Sequence, residues 1–178
     1  AWRSSMTVAR EVSLKKTNDG YILKNIPVAQ LKKYQGKSTR KTIKVKAENQ
    51  LIEKSQIDLS KAVVDLDLKK MTAGKYTFAL KNALGEELTF GIDNTTKELF
   101  VDRSKSGNTD FGNHFATAVS KAPLNKVYSN VKMKLVIDKT SIEIFFNDGE
   151  KVLTEIFFPN EHFSELYLST DTKGSTLN

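Results

Sequence analysis

Apolar and polar residues alternate with a period of two along much of the chain beyond residue 62. Leu66 and Leu68, for example, alternate with Asp65, Asp67 and Lys69. This period is typical of a strand that buries one of its two faces. It predicts eight short strands, whose inward-facing residues include Leu66, Phe78, Phe90, Leu99, Met133, Ile144, Leu168 and the set Val152, Thr154 and Ile156.

Turn sequences containing Asn, Asp or Gly separate the predicted strands at residues 82–85, 93–96, 138–140 and 147–149. These residue types tolerate the backbone conformations of tight turns, and strands joined by tight turns pair antiparallel. Three further strands are predicted over 10–14, 21–26 and 42–47, with one helical turn over 29–34. No segment has the pattern of a long amphipathic helix. The sequence therefore predicts an all-β fold, a two-sheet antiparallel β-sandwich.

Four aromatic residues fall on the strand faces that the alternation predicts to be polar: Phe100, Phe145, Phe157 and Tyr167. Two interpretations stay open. The second sheet or the long segment over 104–130 covers these side chains, or they form a surface that docks on another domain or on a sugar.

Composition limits the class of protein. The chain has 178 residues, of which 39% are apolar and 28% charged, and this fits one folded domain. No apolar stretch approaches the roughly 18 residues that a membrane helix needs. The formal net charge is +7, but only four residues are Arg, so a Lys-rich solvated surface is favoured over a nucleic-acid interface. Without Cys, disulfides and thiol chemistry are excluded.

The chain starts at Ala1, followed by Trp2 and Arg3, without an initiator Met or the pattern of a signal peptide. We therefore expect it to be part of a longer polypeptide.

No catalytic or metal-binding constellation stands out. The acidic residues are scattered, and Asp138 and Asp148 fall in turns, where Asp bonds its own backbone. The two histidines, His114 and His162, lack the short spacing of a metal site. Nucleophile-elbow, P-loop and dinucleotide motifs are absent. The sequence predicts no catalytic residue, no metal and no cofactor.

One segment has an unusual composition: Asp102, Arg103, Ser104 and Ser106 precede Gly107 at the end of a predicted strand. An Asp-Arg pair with nearby hydroxyls can act as a structural clasp at the strand end. It can also hold a sugar hydroxyl or a neighbouring domain. Both hypotheses stay open at this point.

Three separated pieces of the sequence resemble a known family. They are Trp2 to Glu11, with Ala9 where the family has Pro; Leu88 to Asp93 followed by Leu99 to Gly107; and Val136 to Glu150, with its Asn147-Asp148-Gly149 turn. Together, and in this order, they resemble the C-terminal β-sandwich module of glycoside hydrolase family thirty-two, the invertase, levanase and inulinase group.

The resemblance implies a fold similar to the lectin-like concanavalin jelly roll, and a role that is not catalytic. The family carries its catalytic carboxylates on an N-terminal five-bladed propeller, whose motifs do not occur here. The resemblance thus implies a partner propeller on the same polypeptide, fructan as a possible ligand, and an extracellular or periplasmic location. We expect residues 1–10 to be a linker and 11–178 the sandwich, with Trp2 and Arg3 among the docking residues.

An alternative is an autonomous lectin-like module that binds fructan. Sugar recognition usually needs an aromatic platform, and the only Trp of the chain, Trp2, lies in the predicted linker. Neither alternative requires a nucleic-acid partner or a membrane span.

Overall fold

The computed structural model describes residues 6–18 and 20–178, so the predicted docking residues Trp2 and Arg3 lie outside it. The described strands are β1 Arg10–Thr17, β2 Gly20–Pro27, β3 Ile43–Lys44, β4 Glu48–Ile52, β5 Lys61–Lys69, β6 Lys75–Lys81, β7 Glu87–Asp93, β8 Glu98–Asp102, β9 Ser120–Pro123, β10 Asn130–Asp138, β11 Ser141–Phe146, β12 Lys151–Ile156, β13 Glu165–Thr170 and β14 Thr176–Leu177. A 3₁₀ turn spans Ala29–Tyr34, where the sequence predicts a helical turn.

Two six-stranded sheets face each other across one core. Sheet I has the order β12-β11-β10-β5-β14-β3, and sheet II has the order β4-β13-β6-β7-β8-β9. The strand pairs in both sheets are antiparallel. The predicted two-sheet antiparallel β-sandwich is therefore confirmed.

The core follows from the alternation along the strands. In β10, Val131, Met133, Leu135 and Ile137 are buried, whereas Lys132 is exposed. Sheet II contributes aromatic residues to the same core, including Phe78 and Phe90, whose rings stack with centroids 5.5 Å apart. Burying these faces removes large apolar areas from water, which is the main stabilising contribution in a fold of this kind.

β12 contradicts the prediction of which residues face inward. The predicted inward residue Ile156 is 43% exposed, whereas Leu153 packs against the core and Phe157 is 1% exposed. Leu153 pairs with the core residue Ile144. In this register, the inward-facing positions of β12 are shifted by one residue from the predicted ones. Phe157 packs against Phe163 in the core, so its expected place on an outer surface was wrong.

The sequence pattern did not predict three short strands, β4, β9 and β14. β4 and β9 form the two edges of sheet II, and β14 has two residues. Edge strands bury little surface, so their sequences need not alternate strongly. β9 lies inside the long segment over 104–130 that shows no periodicity.

β1 and β2 form a two-stranded sheet of their own, called here the N-terminal hairpin. Its inner face carries Lys15, which pairs with Glu150 at 3.7 Å, and its partner residue Ile22, which lines a depression on the sandwich. The backbone N–H of Asn25 also donates to the carbonyl of Gly149, at 3.0 Å. The hairpin therefore lies against the sandwich without joining either sheet.

Candidate functional site

Arg10 fixes the N-terminal hairpin to the outer face of sheet I. Its guanidinium forms a short ion pair with Glu143 of β11, and its Nη2 donates to Thr154 Oγ1 at 3.0 Å. The other carboxylate oxygen of Glu143 accepts the backbone N–H of Val8, at 2.8 Å. These contacts satisfy a buried carboxylate, which would otherwise be costly to remove from water.

The same arginine explains why the outer-face residue Phe145 is buried. The Cζ atom of Arg10 lies 5.2 Å from the centre of the Phe145 ring. Arg10, which belongs to the N-terminal segment, thus contributes to covering this side chain, and neither open interpretation included this contact. Phe145 is therefore enclosed within the chain and offers little surface for docking.

Arg103 forms a second clasp, which joins the two sheets at one edge. It follows β8 of sheet II, and its Nη1 donates to the carbonyl of Ile156 at 3.0 Å and lies 3.3 Å from Glu155 Oε2 in sheet I. Its Cζ lies 4.3 Å from the centre of the Phe115 ring. An arginine fork suits this place because it serves a carboxylate, a carbonyl and a ring face together.

The neighbouring polar side chains form hydrogen bonds with the backbone of their own loop. Asp102 Oδ1 accepts the backbone N–H of Ser104 at 2.9 Å, and the buried Ser106 Oγ donates to the carbonyl of Arg103 at 2.7 Å. At Gly107, φ is +115°, and an added Cβ would lie 2.3 Å from the carbonyl oxygen of Phe158. Asp102 and Arg103 do not pair with each other. The geometry thus favours the structural clasp hypothesis over a sugar site.

Phe100 and Tyr167 both lie on the outer face of sheet II. Lys75 Nζ lies 4.5 Å from the centre of the Phe100 ring, and Lys81 Nζ lies 5.0 Å from that of Tyr167. Phe100 is buried, whereas Tyr167 is half-buried. Burial and the nearby charge of Glu165 raise the pKa of Tyr167. The structure does not bring these two rings together with Phe145, which lies on the other sheet.

A depression of about 320 Å³ separates the hairpin from the sandwich. Its lining includes Ile22, Asn125, Tyr128 and Glu150. Tyr128 donates a hydrogen bond to Asn125 Oδ1 at 3.2 Å, and burial together with the charge of Glu150 raises its pKa. The signal for this site was weak in the sequence, because Tyr128 lies in the non-periodic segment and meets Ile22 only in the folded chain.

A second, more open depression of about 460 Å³ lies between the connections 54–59 and 162–164, and His162 is among its lining residues. No group of three or more His, Asp or Glu side chains in residues 6–18 and 20–178 is arranged to hold a metal ion. In the same part of the chain, no helix has the length and apolar character of a membrane span.

Comparison with known proteins shows what this architecture is similar to. Residues 28–178 match the family model described as Glycosyl hydrolases family 32 C terminal. The chain is 32% identical to a levanase from Bacillus subtilis (strain 168), over 97% of this chain and 26% of that protein. It is 28% identical to an extracellular exo-inulinase from Aspergillus awamori, over 98% of this chain and 33% of that protein.

Solved structures give the same picture. The crystal structure of exo-inulinase from Aspergillus awamori superposes with a TM-score of 0.79 at 25% identity, over 99% of this chain and 35% of that chain. Sucrose-6-phosphate hydrolase from Lactobacillus gasseri shares the fold with a TM-score of 0.60 at 22% identity, over 93% of this chain and 32% of that one. In these comparisons, this chain spans between 26% and 35% of the other protein.

Proposed function

Because this chain belongs to the C-terminal domains of glycosyl hydrolase family 32, we propose that it is a non-catalytic module that packs against and stabilises the N-terminal catalytic domain of a fructan hydrolase. The resemblance carried by its three sequence motifs is confirmed at the level of the family. Relatives named levanase and exo-inulinase support a fructan as the substrate of the parent protein.

The observation that carries this proposal is the outer face of the N-terminal hairpin. Leu14 pairs with Leu23, and Val12 and Tyr21 lie on the same face. These four side chains are 68%, 52%, 60% and 69% exposed, respectively. A cluster of apolar residues left in water on a two-stranded sheet is unfavourable alone and is typical of a surface that another domain covers.

The catalytic domain is the occupant that fits this face. The family model begins at residue 28, directly after the hairpin, whereas the similarity to levanase covers 97% of the chain. The relatives are also much longer than this chain. We therefore propose that the hairpin lies at the domain junction and that the linker, expected over residues 1–10, extends toward residue 27.

Two acidic residues with little exposed side chain support a role without catalysis in this chain. Glycoside hydrolysis needs two carboxyl groups that flank one bond in an accessible cleft. Glu143 and Glu155, the two acids with the least exposed side chains among the ion pairs, are held by Arg10 and Arg103. Both carboxylates therefore take part in ion pairs within the chain.

Fructan binding by the module itself is the second candidate function. The depression at Tyr128 is a better candidate binding site for it than the Asp102 to Ser106 loop. The depression combines a half-buried aromatic ring with the polar groups of Asn125, Glu150 and Lys151. Such a combination suits a sugar ring with its hydroxyl groups.

An extracellular or periplasmic location belongs to the same proposal, supported by relatives named extracellular exo-inulinase.

The test measures binding of this chain to the catalytic domain of its own polypeptide, expressed separately, by titration calorimetry. Replacing Leu14 and Leu23 by Ser should weaken binding at least about tenfold, because each buried leucine contributes roughly 1.5–3 kcal/mol. The matched control replaces Leu84 and Val127, also by Ser. These two residues lie outside the hairpin and are 56% and 46% exposed, and the control should bind normally.

Equal binding by both double variants, or no binding by the unaltered chain, would contradict the docking proposal. Fructose release from levan or inulin by the isolated chain would contradict the non-catalytic role. Titration of the unaltered chain with levan and inulin decides the second candidate, and a Tyr128→Ala variant should abolish any binding that uses the depression.

A further inference from the structure

The positive charge of this protein is concentrated in one segment. Residues 32–46 carry six lysines and Arg40 without any acidic residue, and no acid occurs from residue 20 to residue 47. The interval 20–47 carries eight cations, whereas the whole chain has a formal net charge of +7. The rest of the chain is therefore close to neutral. We call residues 32–46 the basic strip.

The side chains of the basic strip are available to a ligand. Its seven cationic residues, Lys32, Lys33, Lys37, Arg40, Lys41, Lys44 and Lys46, are all exposed. In the described part of the chain, ion pairs form elsewhere, for example at Lys61, Lys121 and Lys134, and none involves the strip. Unneutralised like charges repel, so an anionic partner would relieve a cost that the folded chain bears alone.

The fold presents this segment as a linear array. It begins in the 3₁₀ turn Ala29–Tyr34, continues through a connection without regular structure and along β3, the edge strand of sheet I, and ends two residues after β3. An extended run of cations on an edge suits a chain-like anion that makes many weak contacts. Neither of the two depressions described above includes a residue of the strip, so the strip lies outside both of them.

We propose that the basic strip binds an anionic polysaccharide, a flexible carbohydrate polymer that carries carboxylate, sulfate or phosphate groups. Six of the seven cations are lysines, which act as point charges toward diffuse anions, whereas reading of bases relies on arginine forks. Single-stranded nucleic acid also needs a row of stacking aromatic rings. The strip contains one aromatic residue, Tyr34, whose exposed ring can pack on a single sugar.

This inference is independent of the proposed function, because fructans are neutral and the N-terminal hairpin is not involved. It predicts a second contact between the protein and carbohydrate, driven by charge and sensitive to salt. Such a contact would retain the protein on a surface covered with acidic polymer.

The experiment measures binding of the full chain to labelled polygalacturonate and dextran sulfate by fluorescence anisotropy, with neutral dextran for comparison. Affinity should fall steeply as salt rises from about 50 to about 200 mM, because bound counterions are released. Replacing Lys33, Lys37 and Lys41 by Gln should weaken binding at least about tenfold and reduce the salt slope by about two.

The control replaces Lys54, Lys139 and Lys173 by Gln, three exposed lysines outside the strip that change the net charge by the same amount. This variant should bind nearly as well as the unaltered chain. Equal losses in both variants, or no binding to either anionic polymer, would overturn the proposal. Tighter binding to single-stranded DNA of matched charge would also overturn it, in favour of a nucleic-acid partner.

Discussion

At the level of single residues, two arginines form the contacts that join separate parts of the fold. Arg10 and Arg103 come from the first two of the three sequence motifs. Arg10 meets Glu143 and Phe145 of the third motif, and Arg103 meets Glu155 on the following strand. The first and third motifs thus meet in space, and the second contacts the strand that follows the third. These contacts account for the unusual residue types at both positions.

Replacing Arg103 by Met should lower the free energy of unfolding by about 2 kcal/mol, because Glu155 would stay largely buried without its partner. The side chains of this pair are 20% and 11% exposed. Chemical denaturation measures the loss. The control Lys121→Met breaks the pair with Glu98, whose side chains are 55% and 32% exposed, and should cost much less because water screens an exposed pair. Similar losses for the two variants would contradict the assigned role of Arg103.

At the element scale, turns decide where neighbouring sheets can approach. Asn147, Asp148 and Gly149 all adopt positive φ, and this turn brings the carbonyl of Gly149 to the backbone of Asn25 in the N-terminal hairpin. The sequence predicted a tight turn here from its residue types. It could not predict that the turn also supports a separate sheet, because the contact joins residues more than a hundred positions apart.

Replacing Gly149 by Ala should destabilise the protein and loosen the hairpin, because the added Cβ would lie 1.9 Å from the Asn25 carbonyl oxygen. Gly85→Ala is a matched control: φ is +78° there and +79° at Gly149, but nothing lies within 4 Å of the added Cβ. We expect about 1 kcal/mol for the control and a further 1–3 kcal/mol for Gly149→Ala. Hydrogen exchange should rise over 10–27 in the Gly149 variant alone, and an equal rise in both would refute the contact.

At the scale of the whole molecule, residues far apart in sequence complete sheet I. β14 lies between β5 and β3, so Leu177 pairs with Leu68 on one side and with Ile43 on the other. The short strand β3 therefore depends on residues near position 178 for its place. β3 also lies within the basic strip and links the strip to the rest of the fold.

Replacing Leu177 by Ala should cost about 2–5 kcal/mol, because its side chain is buried between the sheets. Thermal unfolding measures this loss, and hydrogen exchange should rise at residues 43–45. The control Leu84→Ala lies in an exposed turn and should change stability by about 0.5 kcal/mol or less. Unchanged exchange at 43–45 in a destabilised Leu177 variant would show that β3 is held by other contacts.

The alternating strands, the tight turns and hence the sandwich could be predicted from the sequence, because these signals lie in residues close together in the chain. The family resemblance could also be predicted, because it rests on three short motifs and their order. The core-facing side of β12, the separate hairpin and the partners of Arg10 and Arg103 became visible only in the folded chain. The local pattern of an edge strand is compatible with two registers that differ by one residue. The sequence around an arginine does not indicate which distant glutamate it will pair with. Local periodicity specifies which elements form, whereas long-range packing selects which side chains meet.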